Sequence, residues 1–234
     1  MDERRYAIYF VPPAGSELYR FGSGLLGYDC YTGKDVPQDN GLHAPDWAEL
    51  TREPRRYGFH ATLKAPFRLL PSATEADLAA ELRRFAAFPR TPATIEPVIR
   101  PIGQFIAIVA GEPCPEVDRL AADCVMAFDG FRRAPGPEER RKRLAAGLSE
   151  RQIENVDRWG YPYVFDDFRF HMTLTGPVAT DRRGAIVTQL RTHFDGINGQ
   201  RALAITRVVL MCQDDPSAPF RVVCEAALSA AYSS

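Results

Sequence analysis

One octapeptide pattern occurs twice in this 234-residue chain, and it constrains the fold more than any other feature. Phe59 to Pro66 reads F-H-A-T-L-K-A-P, and Phe170 to Pro177 reads F-H-M-T-L-T-G-P. Phe, His, Thr, Leu and Pro recur in register. With each residue type near ~5% usage, four further matches around an aligned His have odds on the order of 10⁻⁵ to 10⁻⁴ by chance. Both segments alternate as strands do, so residues two apart share a face. In the first, Phe59, Ala61 and Leu63 make an apolar face and His60, Thr62 and Lys64 a polar one. In the second, Phe170, Met172 and Leu174 oppose Arg169, His171, Thr173 and Thr175. The apolar faces read as core. Mere exposure would tolerate any polar residue on the other faces and would not select His-x-Thr twice, so those faces read as walls of a functional cleft.

The surroundings repeat as well. Tyr6 to Val11 reads as a strand stopped by Pro12-Pro13, and Ser16 caps a short helix with Leu18, Phe21 and Leu25 on its apolar side and Gly27 near its end. Cys30 to Glu53, rich in Gly, Pro, Asp and Asn, reads as loop. The strand Gly58–Phe67, the helix Thr74–Phe88 and a hairpin of Ile95–Arg100 with Gln104–Ala110 then follow. The same order returns as Phe168–Leu174, Asp181–Phe194, and Ala202–Cys212 with Phe220–Leu228. Two helices, Glu116–Phe131 and Pro137–Arg158, fall between the copies. The expected fold is α+β: one duplicated, two-lobed domain with antiparallel sheets lining a central cleft and helices outside. Its halves run from about 1 to 114 and 161 to 234, with inserted helices at about 115–160.

The polar faces suit chemistry at phosphorus. Displacement there wants a base at the entering oxygen and an acid at the departing one. Two histidines can share those roles near neutral pH, since their ordinary pKa is ~6.5. Thr62 and Thr173 can donate to non-bridging oxygens, while Lys64 and Arg169 add positive field. Arg56 has the His60 parity if the strand extends back, and Thr175 completes the second face, so both join the candidate substrate contacts. No metal is required, and the sequence has no H-x-H, H-E-x-x-H or close carboxylate cluster to hold one.

Two H-x-[ST] motifs in opposing halves of a duplicated α+β fold resemble the two-histidine (2H) phosphoesterase superfamily, which includes RNA 2′,5′-ligase-like proteins and cyclic nucleotide phosphodiesterases. The resemblance implies that His60, Thr62, His171 and Thr173 are catalytic. The contexts R-R-Y-G-F-H-A-T-L-K-A-P-F and W-G-Y-P-Y-V through F-R-F-H-M-T-L-T-G are similar to the branch found beside bacterial phosphonate-utilisation genes, over nearly the whole chain. It implies hydrolysis of a small cyclic phosphate, either a nucleoside 2′,3′-cyclic phosphate or a ribose cyclic phosphate, with no cofactor. A nucleotide- or RNA-binding module without turnover and a 2′,5′ RNA ligase are the alternatives. Paired acid and base speak against the first. The formal charge of −1 speaks against a long nucleic acid partner in the second.

Other signals are weaker. Gly22 to Gly27 satisfies G-x-G-x-x-G, but no strand runs directly into it, so it reads as a helix with its cap. His43 and His193 read as structural or surface residues. Arg52, Arg55, Arg56, Lys64 and Arg68 form a local basic stretch that could attract a phosphate. Trp159, Tyr161 and Tyr163 could stack on a base or sugar or pack in the core. The charged run Glu138 to Arg143 reads as a solvated helix face. Five cysteines without C-x-x-C spacing and the absence of any long apolar run fit a soluble, reduced, cytoplasmic protein with no membrane partner. The sequence leaves the oligomeric state open.

Overall fold

The structure, a computed structural model, describes residues 4–38, 44–144, 147–198 and 201–231. His43 lies outside the described residues. Seven strands form one sheet: β1 (Arg5–Phe10), β4 (Ala61–Phe67), β6 (Pro97–Ile102), β7 (Phe105–Ala110), β8 (His171–Thr173), β10 (Arg207–Gln213) and β11 (Arg221–Ala227). Their order is β11-β10-β1-β4-β8-β7-β6, and every pairing is antiparallel. Short pairs are made by β2 (Tyr28–Asp29) with β3 (Lys34–Asp35) and by β5 (Ala93–Ile95) with β9 (Leu203–Ile205). The α+β expectation holds, with helices packed on a sheet whose strands β1 and β10 are buried along nearly their whole length.

The two motif strands are neighbours at the middle of this sheet, joined at the single pair Ala61–Met172. The chain halves do not keep to their own sides of that seam. The first motif strand lies with the second half's hairpin β10–β11 through β1, and the second pairs with the first half's hairpin through β7. The helices follow the same exchange. Helix α3 (Glu75–Ala87), which comes after β4, packs on β10 and β11, and α7 (Thr180–Asn198), which comes after β8, packs on β6.

Local sequence explains most element ends. Ser16 accepts the Tyr19 N–H and starts α1 (Glu17–Leu26), which Gly27 closes. Thr74 and Asp77 form a capping box for α3. The G-x-G-x-x-G stretch lies in and just after α1, and Gly22 serves packing there: a Cβ would sit 2.1 Å from the Phe59 ring. The long helix expected over Pro137–Arg158 is two, α5 (Pro137–Leu144) and α6 (Glu150–Trp159), the second begun by a Ser149–Gln152 capping box. The other inserted helix is α4 (Pro115–Ala127), followed by a 3₁₀ turn at Asp129–Phe131. The charged run on α5 is spent in ion pairs, including Arg140–Asp157 and Arg143–Glu139.

The expected loop Cys30–Glu53 contains most of a further helix, α2 (Trp47–Arg55). Pro54 hid it, because proline in a helix leaves the carbonyl four residues back without its N–H. Here that carbonyl is Leu50's, and it accepts instead from Gly176 at 2.6 Å, which ties α2 to the end of the second motif. Trp47 is fully buried and donates to the Leu25 carbonyl at 2.9 Å.

Candidate active site

The two histidines are held by the same backbone device. Nδ1 of His60 donates to the Gly58 carbonyl at 2.9 Å, and Nδ1 of His171 donates to the Arg169 carbonyl at 2.8 Å. A carbonyl only accepts, so each Nδ1 carries the hydrogen and Nε2 becomes the nitrogen that gains or loses a proton. Gly58 is suited to its place: its φ is +70°, and a Cβ would lie 2.8 Å from that of Cys30. In the neutral His60 ring, Nε2 accepts from the Thr62 hydroxyl at 3.2 Å.

Rings differ at the two sites. The fully buried Tyr9 stacks on His60 with centroids 3.8 Å apart and planes at 22°, and Tyr57 stands 6.2 Å away on tilted planes. The ring beside His171 is Phe105, 5.8 Å away and tilted by 51°. Burial pushes His60 down to about 4, against the pull of its Gly58 bond, and positive charge on His171 lowers it further. The two imidazoles therefore feel one another. Burial also lowers His171, opposed by its bond to the Arg169 carbonyl.

A cavity of about 620 Å³ opens against these strands, with Thr62, His171 and Arg169 on its sheet side. The inserted helices and the segment after them supply the opposite wall through Val125, Arg151, Gln152, Tyr161 and Tyr163. Phe165, also on the wall, holds φ +53°, a left-handed conformation that costs a side chain about 1 kcal/mol or more. Arg151 is engaged by Asp167, at 2.8 and 3.1 Å. Arg169 is exposed and has no carboxylate at ion-pair distance among the described residues. Alongside the Arg151 bond, its charge helps to hold the Asp167 carboxyl below the usual range, but no ion pair at contact distance ties it down, so it can still meet an anion in the cavity.

Three candidate substrate contacts fall elsewhere. Lys64 is 3% exposed, and its ammonium donates to the Val125 carbonyl at 2.9 Å and to Asp129 at 3.1 Å. Strict alternation failed because β4 slips register against β1 on either side of Ile8–Lys64, and a bulge re-aims the side chains beyond it. Thr175 is fully buried, and its hydroxyl accepts the Ile106 N–H at 3.0 Å, closing the sheet where β8 ends. Arg56 caps the end of α2 and donates to the Pro216 carbonyl, away from the cavity lining. Thr173 stays on the His171 face, opposite Ala107, but makes no bond to that imidazole among the described residues. His193 packs edge-on against Phe21 at 5.2 Å and is structural.

Sequence reasoning missed Tyr9, Phe105, Arg151 and Gln152. Tyr9 sits directly across from Thr62 in β1, a neighbour that only strand pairing reveals. Arg151 and Gln152 belong to a charged helix with no motif. Among the described residues no three of His, Cys, Asp and Glu converge to hold a metal ion, and no helix is long and apolar enough to cross a membrane.

A family model described as "Protein of unknown function (DUF1045)" matches residues 62–221, which takes in the second motif whole and the first from Thr62 onward. The chain belongs to this family. It is 38% identical over 221 residues to "Ribose 1,5-bisphosphate phosphokinase PhnN" of Janthinobacterium sp. (strain Marseille), covering 92% of this chain and 49% of that protein. Identity is 36% over 226 residues to the protein of the same name from Laribacter hongkongensis, covering 93% and 50%. The chain thus spans about half the length of the curated relatives it matches. Similar solved structures include a phosphoesterase, at 12% identity and TM-score 0.44 over 97% of this chain and 99% of that one. Escherichia coli LigT complexed with 3′-AMP is similar at 11% identity and TM-score 0.41, covering 97% and 99%. Overlays this loose carry no argument about the site, which stands on its own residues.

Proposed function

We propose that this chain is a phosphoesterase that opens a small cyclic phosphate to a phosphomonoester, with His60 and His171 as the acid–base pair and no metal ion. The observation that carries the reading is the twofold tautomer lock, which leaves Nε2 of each imidazole as the group that exchanges a proton. One imidazole takes a proton from water as its oxygen attacks phosphorus. The bridging P–O bond then breaks, and the other imidazole protonates the departing alkoxide. Arg169 binds the phosphate oxygens throughout the reaction, and the two threonine hydroxyls offset the charge that shifts onto the non-bridging oxygens. The 2H resemblance of both motifs supports the same assignment.

The ribose phosphate in the relatives' name favours a ribose cyclic phosphate as substrate. The kinase activity in that name is not carried over to this chain, which spans about half of those proteins and contains no G-x₄-G-K-[ST] phosphate loop. A 31P-detected screen of ribose and nucleoside cyclic phosphates in EDTA tests the proposal. A new phosphomonoester resonance is expected, and the screen identifies the bond broken. Turnover that vanishes on chelation and returns with a divalent ion would overturn the metal-free chemistry. Binding without turnover across the panel would leave only a nucleotide-binding module.

A further inference from the structure

We propose that Tyr9 is a positioning residue that fixes the ring plane of His60, and so aims Nε2 along one line through Thr62 into the cavity. The inference deepens the acid–base reading and rests on it. Three contacts define the His60 ring. The Gly58 carbonyl holds Nδ1 at 2.9 Å, the Thr62 hydroxyl engages Nε2 at 3.2 Å, and Tyr9 covers one face at 3.8 Å. The two hydrogen bonds lie at the ring edge and leave rotation about the line joining them weakly opposed. A stacked face opposes that rotation directly, since turning the ring drives it into the Tyr9 plane.

Tyr9 is itself packed in the core. It is 1% exposed, lies in β1 at the middle of the sheet, and pairs in register with Thr62, so ring, hydroxyl and imidazole are set by one backbone ladder. Phe220 backs it, with centroids 6.1 Å apart. Among the described residues no comparable clamp stands at the second motif, where Phe105 is 5.8 Å from His171 and tilted. Among the described residues, the titratable groups facing His60 are Tyr9 from β1, Tyr57 from the turn after α2 and His171 from β8. Tyr57, Arg5 and, from the cavity wall, Tyr161 reach Tyr9 electrostatically, and the Thr62 side chain hydrogen-bonds with its phenol. None of these is a carboxylate, so the orientation of His60 depends on packing and on neutral hydrogen bonds.

The experiment combines NMR of the imidazoles with kinetics of Tyr9→Phe and Tyr9→Leu. In the wild-type protein, His60 ring protons are expected upfield of those of His171, from the ring current of the stacked tyrosine, and its 15N shifts should report a single Nδ1–H tautomer. Tyr9→Phe keeps the plane and gives up only the phenol's hydrogen bond with Thr62, so it should retain both signatures, with kcat within about twofold. Tyr9→Leu keeps apolar volume but loses the plane. The upfield shift should vanish, the tautomers should mix, and kcat should fall roughly tenfold at an unchanged KM, the size of effect a misaimed proton acceptor produces. Wild-type His60 without an upfield shift overturns the proposal even if no variant folds. A folded Tyr9→Leu with a pure tautomer and normal kcat overturns it too, as does a Tyr9→Phe variant as impaired as Tyr9→Leu. The NMR arm needs no substrate, so a failed cyclic-phosphate screen sinks the reaction assignment without touching this test.

Discussion

Around His60, Tyr9 covers one ring face and Thr62 engages Nε2, whereas around His171 the nearest ring is tilted and Thr173 leaves the imidazole alone. The backbone lock on Nδ1 is common to both. A second likeness lies four residues beyond each histidine. Lys64 and Thr175 differ chemically, yet each turns away from the cavity to close a structural gap, one on α4 and the following turn, the other on β7. Backbone geometry thus repeats where the strand enters and leaves the motif, while the environment of each ring is set by unrelated neighbours. Two copies of one motif consequently present one held imidazole and one freer imidazole beside an arginine without an ion pair.

The harshest test of this pair is removal of either member. His60→Ala and His171→Ala should each lower kcat by on the order of 10²-fold or more, the usual scale of a general acid or base. The double variant should be little worse than either single one, because groups acting as a unit are not additive. Multiplying losses would mean that the two motifs work separately, and a single variant with near-normal kcat would remove that histidine from the reaction.

Acidity sharpens the contrast next. Both rings are depressed by burial, His60 to about 4, so the free protein holds the pair neutral near pH 7. A productive pair carries one proton. The bell in kcat/KM, which reports the free protein, should therefore centre below about 6.5, and the bell in kcat should lie higher, because a bound phosphate anion favours imidazolium. Equal centres would deny that the anion supplies the missing proton affinity. Folding stability carries the same sign. The unfolded chain binds the proton first, so the His60 contribution is complete above about pH 6.5 and is lost as pH falls toward about 4. That loss is about 1–2 kcal/mol for a half-buried ring, and urea midpoints at pH 7 and 5 would read it.

Arg169 and Lys64 divide binding from stability. Arg169→Ala should raise KM about tenfold with little change in kcat, the cost of one charge-assisted contact to the substrate. Lys64→Met should leave KM within twofold and cost about 2 kcal/mol in denaturant unfolding. Removing the ammonium strands the Val125 carbonyl, although Arg132 still holds Asp129 at 2.7 Å and moderates the loss. The opposite pattern would return Lys64 to the substrate site.

The sequence made the motif histidines, the strand–helix–hairpin order and the inserted helices legible, because each rests on local periodicity or a cap such as Ser16 or Thr74. It could not reveal the exchanged hairpins, since strand order is decided by packing between distant segments. Lys64 was misassigned because a bulge is not encoded in alternation, and Thr175 because a buried threonine and a cleft threonine share one parity. Helix α2 was hidden by Pro54, whose cost disappears only when Gly176 arrives from the other end of the chain. Tyr9 was invisible for the same reason, being a core aromatic by pattern and a neighbour of His60 by pairing alone.

The smallest expected effect separates the two threonines. Thr62→Val is nearly isosteric and removes a hydroxyl that donates to neutral His60, a bond worth about 1 kcal/mol net. Its loss removes a contact that favours the neutral ring, so the His60 titration should move upward and kcat should fall a few-fold. Thr173→Val removes a hydroxyl with no partner on His171 in the free protein, so the His171 titration should stay where it is. Its kcat should fall less, by whatever the hydroxyl gives to a phosphate oxygen once substrate is bound. NMR titration of both variants, read beside their kcat values, decides the point. Unequal titrations with unequal rates would extend the resting asymmetry into the reaction. Unequal titrations with equal rates would mean that both hydroxyls act on the phosphate alone, and that the two motifs become equivalent only when the ligand bridges them.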